Sequence, residues 1–423
     1  MRKKVKYYNI LLIDCPDRAQ HYKELREHFE ANYIELLALN DDDDYSEIDI
    51  ALVSEEFSSR SALLIQKLKS KQIPVVHIVD GIIEWRNTWE NPRTKTGMPL
   101  YQPVLSHKIA CFGNSQKRIL ESFGNYGKCE VTGSPRLDPV LKAKKIAPPP
   151  IDILVLSAKT PAFTDKQKQQ VLNGFADLKD YFEKTETRKL NVKWRIADES
   201  ASELGLDKTI SKTDGSELLD VLLSADAVIT TPSTTVIESM LLNIPTAIID
   251  YTNSPPYING AWNISAKEHI ESVVKSLIEH DVKRMHYQQY ILRDLYYFKE
   301  TATSRIIELI KNMINISRKC KNNNENLVFP ENILSNESQA YEAINLEKLY
   351  PSHECFKKNN VTELQIENGH LRKKIIYIKN FENSKTYKLA LIFQNIYLMP
   401  NSIRAKLQIR TRFKQLLKRF KLK

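Results

Sequence analysis

Short apolar runs alternate with segments whose apolar residues recur every three or four positions. The runs fall at 8–13, 33–39, 48–54, 74–80, 108–113 and 129–133, with helical patterns at 17–30, 57–71 and 114–124 between them. Strands of continuous apolar residues separated by helices predict a parallel sheet covered on both faces. The run "KKIAPPP" at 144–150 then breaks the chain, because three prolines neither continue a helix nor join a sheet interior. A second alternation follows. Strands are predicted at 151–157, 191–196, 227–230 and 245–251, and helices at 164–184, 215–224, 233–242, 266–280, 282–297 and 300–316. The expected architecture is α/β: two Rossmann-like, doubly wound domains, residues 1–145 and 151–317. In such sheets ligands bind beyond the carboxyl ends of the strands, so two such ends are expected to face a common cleft.

Past residue 317 the pattern changes. Residues 318–360 are rich in Asn and helix breakers and read as a linker. Residues 361–423 read as a helical extension. Ile409, Phe413, Leu416, Leu417 and Phe420 form one apolar stripe flanked by cations.

Charge sharpens that division. The 423-residue chain carries a formal net charge of +10, and nine Lys or Arg with no acid lie within 401–423. The rest is near neutral, which argues against a nucleic-acid-binding face. A basic amphipathic helix suits an anionic membrane surface. The five cysteines are scattered, with no CxxC pair, so neither a zinc site nor a disulfide framework is expected. No signal peptide or spanning helix is read from the sequence. The expected location is cytoplasmic, peripheral on the inner face of the plasma membrane.

Three stretches carry candidate chemistry. In "AVITTPSTTVIES", a strand turns into a helix at Pro232, and Ser233, Thr234 and Thr235 sit where helix amides lack partners. That end of a helix favours a phosphate. Glu238 stands at capping-box distance from Thr235. In "TGSPRLD", Gly133 permits close backbone approach and Pro135 sets a turn. Arg136 is a candidate anion clamp and Asp138 a candidate base or nucleophile. In "HIVDGIIEWRNTWENP", Asp80 and Glu84 are candidate catalytic carboxylates, and Trp85 and Trp89 candidate sugar-stacking rings. Ser157 and Lys159 follow the first strand of the second domain and would face a phosphate. Asp214, Ser216 and Glu217 open a helix expected near the nucleoside, and Asp250 ends a strand at the expected cleft. Each also has a plainer reading as a cap, a packed ring or a solvated charge. The chain has no GxxxxGK[ST], no GxGxxG after the first strand and no HExxH, so P-loop, dinucleotide and zincin chemistry are not expected.

The helix–strand–helix–strand order around "ITTPSTTVIES" resembles the C-terminal half of GT-B glycosyltransferases and of UDP-N-acetylglucosamine 2-epimerase. "TGSPRLD" resembles bacterial surface-polysaccharide transferases, with the β-Kdo transferases, which use CMP-Kdo, nearest in appearance. The resemblance spans roughly residues 100–315. It implies a nucleotide sugar bound by the second domain and a glycan or lipid-linked acceptor. No DxD motif stands at the end of a central strand, and "DDDD" at 41–44 reads as a solvated turn, so no metal or other cofactor is expected. The alternatives are a 2-epimerase, a glycerol- or ribitol-phosphate transferase, and a non-catalytic scaffold of polysaccharide assembly. The polymerase type commonly carries "TDYSS" where this chain has Thr230-Thr231-Pro232-Ser233-Thr234.

Overall fold

The computed structural model describes residues 8–13, 22–35, 45–92, 100–143, 152–184, 190–206 and 217–334, with short stretches between 369 and 388. The chain divides into two units, Met1–Leu349 and Tyr350–Lys423, and both sheets belong to the first. The apolar stripe expected at 409–420 lies outside the described residues.

The first sheet is built from β1 (Tyr8–Leu12), β2 (Ala31–Glu35), β3 (Ile50–Val53), β4 (Val75–Ile78), β5 (Lys108–Cys111) and β6 (Cys129–Val131). All pair in parallel, in the order β2-β1-β3-β4-β5-β6. Between them run α1 (Lys23–His28), α2 (Ser59–Ser70), α3 (Trp85–Trp89) and α4 (Asn114–Leu120), and α5 (Asp138–Lys142) follows β6. Side chains alternate across a strand, and both faces of this sheet are buried. Leu11, Ala51, Val53 and Val75 pack with Leu64, Ile65 and Leu68 of α2. Ile10, Leu12, Ile50, Leu52, Val76 and Ile78 pack on the other face.

The second sheet holds β7 (Asp152–Leu156), β8 (Asn191–Arg195), β9 (Ala227–Thr230), β10 (Thr246–Ile249) and β11 (Trp262–Ile264), in the order β11-β10-β9-β7-β8. Its helices are α6 (Asp165–Lys184), α7 (Asp198–Glu203), α8 (Leu218–Leu223), α9 (Thr235–Leu241), α10 (Ile270–Ile278) and α11 (Val282–Leu295). Ile153, Val155, Ala227, Ile229, Ala247 and Ile249 face α6 and α10, while Leu154, Leu156, Val228 and Ile248 face α9 and α11. The strand order reverses between β7 and β9. At such a switch point the loops diverge and leave a crevice.

The last long helix, α12 (Ala302–Asn323), departs from the expected domain boundary. Residues 300–316 were expected to close the second domain. Instead Ile306, Leu309, Ile310, Met313 and Ile314 complete the core under β1, β3 and β4 of the first lobe. The chain therefore crosses back after α11. Segment 324–334, expected within a linker, stays on the first lobe. Glu130 accepts the backbone N–H groups of Ile333 (2.8 Å) and Leu334 (3.2 Å), and buried Lys108 donates to the carbonyl of Glu331 at 2.7 Å. Lys108 and Glu130 lie 3.0 Å apart, so this buried pair is satisfied on both sides.

Candidate active site

Two kinds of contact join the lobes. At the hinge, the N–H of Tyr297 donates to the carbonyl of Phe112 at 2.8 Å, and the Tyr296 hydroxyl bonds both backbone groups of Ser134 at 3.1 Å. Burial pushes the Tyr296 phenol above its ordinary value. Arg118 grips Asp294 with two nitrogens, at 3.0 and 2.5 Å. Gly133 has φ of +79° and lies against the Tyr296 ring, a position that needs both a left-handed backbone and the lack of a side chain.

Around the cleft, one segment of the first lobe does most of the reaching. Residues 81–92 follow β4 and touch four elements of the opposite lobe. The N–H of Ile82 donates to the Thr234 hydroxyl at 3.3 Å. The Arg86 guanidinium stands 3.6 Å from Asp250, and the Trp89 indole N–H donates to the Tyr257 hydroxyl at 3.1 Å. The Gln167 amide donates to the Glu90 carboxylate. Glu84 starts α3 as a true N-cap, its Oε2 accepting the N–H of Asn87 at 2.9 Å.

Between this segment and the second sheet lies a cavity of about 380 Å³. Ile83 and Glu84 form its first-lobe wall. Pro232 after β9, Asp250 after β10, the loop Asn253–Ile258 and the β11 end form the rest. Glu84 and Asp250, two of the expected site residues, thus share one cavity although 166 positions separate them. Trp89 is 47% exposed and set edge-on to Phe123 at 5.9 Å, so its ring is held by protein at one side. Trp85 is half-buried at the start of α3, and Asp80 half-buried at the end of β4.

At the switch point, the Ser157 hydroxyl accepts the N–H of Ala197 at 3.0 Å, and the Thr231 hydroxyl accepts that of Ala158 at 2.8 Å. These bonds brace the loops after β7, β8 and β9 against each other. Lys159 is exposed at the loop tip. Ser233, Thr234 and Thr235 are half-buried rather than sealed, with Ser233 bonded to Thr230 at 3.2 Å. Asp214 and Ser216 lie outside the described residues. Glu217 is exposed just ahead of α8.

Two expected site residues are held by protein groups. Asp138 is 0% exposed, and its oxygens accept the N–H groups of Ala302 (2.8 Å) and Thr303 (3.0 Å). It caps α12, so its lone pairs are committed to the helix start rather than to a reacting group. Arg136 pairs with Glu238 at 3.2 Å and ties the 135–137 turn to α9, in place of a clamp on a free anion. Glu238 is buried, and its Oε2 has no hydrogen-bond partner. Burial holds its carboxyl above the ordinary carboxylate range, against the pull of Arg136.

Arg86 was not among the expected site residues. It is 1% exposed, its Nε donates to Glu84 at 2.6 Å, and its Nη1 has no hydrogen-bond partner. A single Arg in "EWRN" carries no sequence signal, because its partner Asp250 is distant along the chain.

No family model matches the chain, and no curated protein matches it. Solved structures do. One named for UDP-N-acetylglucosamine 2-epimerase, from Listeria monocytogenes, is 17% identical, with a TM-score of 0.51 over 73% of this chain and 96% of that one. The S. aureus MnaA–UDP co-structure is 15% identical, with a TM-score of 0.51 over 73% and 97%. The wall teichoic acid polymerase TagF is 12% identical, with a TM-score of 0.44 over 73% and 89%. The chain has a GT-B-like fold. The first two likenesses, with the two parallel sheets, establish that architecture.

Proposed function

We propose that the chain is a nucleotide-sugar-dependent glycosyltransferase working in the cleft between its lobes. The observation that carries this reading is the cavity walled by Glu84 of the first lobe and by Asp250 and Pro232 at the strand ends of the second. Open α/β sheets receive ligands at such strand ends. The donor's phosphates belong at the switch point, beside Ser157, Lys159 and Ser233–Thr235. With Asp138 spent on α12 and both oxygens of Glu84 engaged by Arg86 and the N–H of Asn87, Asp80 and Asp250 remain as carboxylates for the reacting centre. The acceptor is a glycan or lipid-linked glycan, reached at the inner membrane surface through the basic 401–423 segment. No metal or cofactor is invoked. The CMP-Kdo donor rests on the resemblance carried by "TGSPRLD" with "ITTPSTTVIES", and the cavity chemistry described below argues against it.

A 2-epimerase is the second reading, favoured by the name of the Listeria monocytogenes structure, with UDP in the name of the S. aureus one. The experiment is a thermal-shift screen with CMP, CDP, UDP, GDP and their sugars, followed by product analysis. Ligand at 100 times its Kd adds about 2.7 kcal/mol of stability. Transfer requires an acceptor before nucleotide is released. Epimerisation of UDP-N-acetylglucosamine without an acceptor supports the second reading, and stabilisation by no nucleotide overturns both.

A further inference from the structure

The charge lining the cavity limits what can enter it. Glu84 and Asp250 both line its wall, and among the described residues no Lys, Arg or His does. Arg86 lies buried behind them, bonded to Glu84 at 2.6 Å and 3.6 Å from Asp250. One guanidinium faces two carboxylates, so the trio carries a formal charge of −1. Glu84 has little left to offer: Oε1 holds Arg86, and Oε2 holds the N–H of Asn87. Asp250 is different. Its Oδ1 accepts the N–H and hydroxyl of Thr252, at 2.9 and 2.7 Å. Its Oδ2 accepts no hydrogen bond among the described residues, which suits it to a ligand hydroxyl. Asn253 and Asn263 supply neutral amides around it, and Tyr257 with Pro255 an apolar surface for a ring face. This set of groups suits hydroxyl-bearing carbon rings. It offers an incoming carboxylate no cation, and a like charge already in place.

We propose that this cavity takes an uncharged, hydroxyl-rich sugar unit and rejects sugars that carry a carboxylate, with Asp250 the specificity-determining group and Arg86 the residue that positions it. The proposal rests on the nucleotide-sugar reading of the cleft. It narrows the donor to neutral hexose or N-acetylhexosamine nucleotides and leaves out uronate and keto-acid sugars such as Kdo.

The test uses the full chain and matched pairs sharing a nucleotide: UDP-glucose against UDP-glucuronate, and GDP-mannose against GDP-mannuronate. CMP is compared with CMP-Kdo. Calorimetry should show the uncharged member binding at least tenfold tighter in whichever pair has the correct base, and CMP-Kdo no tighter than CMP. In Asp250→Asn the charge is gone and the shape kept, so the preference should shrink to within about threefold. Arg86→Lys keeps the charge but loses the planar fork, and should weaken the uncharged sugar more than the free nucleotide. Equal or tighter binding of the carboxylated member by the wild-type chain overturns the proposal while leaving the nucleotide-sugar reading intact. A preference unchanged in a folded Asp250→Asn chain overturns the role of Asp250. Binding of no nucleotide or nucleotide sugar overturns the underlying reading, and the proposal with it.

Discussion

At the scale of single residues, Asp138 shows how burial decides a role. A carboxylate next to an arginine and a hinge is a plausible base in a sequence. Here both oxygens are occupied by amides of α12. Asp138→Asn keeps the size but turns one acceptor into a donor facing an N–H. The expected cost is about 1–3 kcal/mol in urea unfolding, with nucleotide affinity kept in the folded fraction. A stable protein that loses turnover alone would return Asp138 to the chemistry. His107 offers a pH-dependent case. Its Nδ1 accepts the N–H of Val75 at 3.1 Å. Burial, then Lys69 and Lys128, lower its pKa from 6.5 to about 4. Falling pH therefore protonates the unfolded chain first. The contribution of His107 to stability is whole above 6.5 and is lost on the way down to about 4. His107→Asn retains an acceptor without a titrating ring. Its thermal midpoint should fall less than the wild type's between pH 6.5 and 4.

At the scale of elements, α12 is the informative case. Ile306, Leu309, Ile310, Met313 and Ile314 recur on one face, so a helix is plain from the sequence. The same spacing says nothing about which sheet that face meets. Only the fold shows that it completes the first lobe. Ile310→Ala should cost about 2–5 kcal/mol, and hydrogen exchange should rise in β1, β3 and β4 before it rises in β7, β9 and β10. Uniform exchange across both sheets would mean that the lobes do not open separately. Strands were legible for the same reason that α12's partner was not. The predicted runs in the second sheet are short and either mostly apolar or, in "NVKWRI", alternating, and the structure contains a strand within each of 151–157, 191–196, 227–230 and 245–251. β11 has only three residues, Trp262–Ile264, too few for a period to register. The cavity was half legible. Asp250 ends a predicted strand and Glu84 lies in the segment after another, places that strand patterns mark, whereas the short helix that Glu84 caps was expected to be a loop. Arg86 acts through contacts made in three dimensions, which such patterns do not mark.

At the scale of the molecule, the two sets of interlobe contacts differ in kind. The cleft contacts of residues 81–92 include polar contacts of Ile82, Arg86, Trp89 and Glu90, which water can replace when the lobes part. The hinge adds close backbone packing to the bonds of Tyr296 and Arg118. A Cβ added to Gly113 would lie 2.5 Å from both the carbonyl carbon and the oxygen of Leu295. The backbone of Gly113 is extended, with φ of −166°, so any residue tolerates its conformation and only the lack of space forbids a side chain. Gly113→Ala should therefore push the start of α4 away from the end of α11 without unfolding either sheet. Because Arg118 and Asp294 flank this contact, their pairing should weaken with it. A shift of a few tenths of an ångström at the hinge is magnified at the cleft, where Ile82 meets Thr234 and Arg86 meets Asp250. The expected outcome is normal circular dichroism, with sugar-nucleotide affinity reduced at least tenfold, about 1.4 kcal/mol. The loss should be smaller for a free nucleotide held by the second lobe alone. Affinity unchanged for both ligands would show that the cavity forms without this hinge spacing.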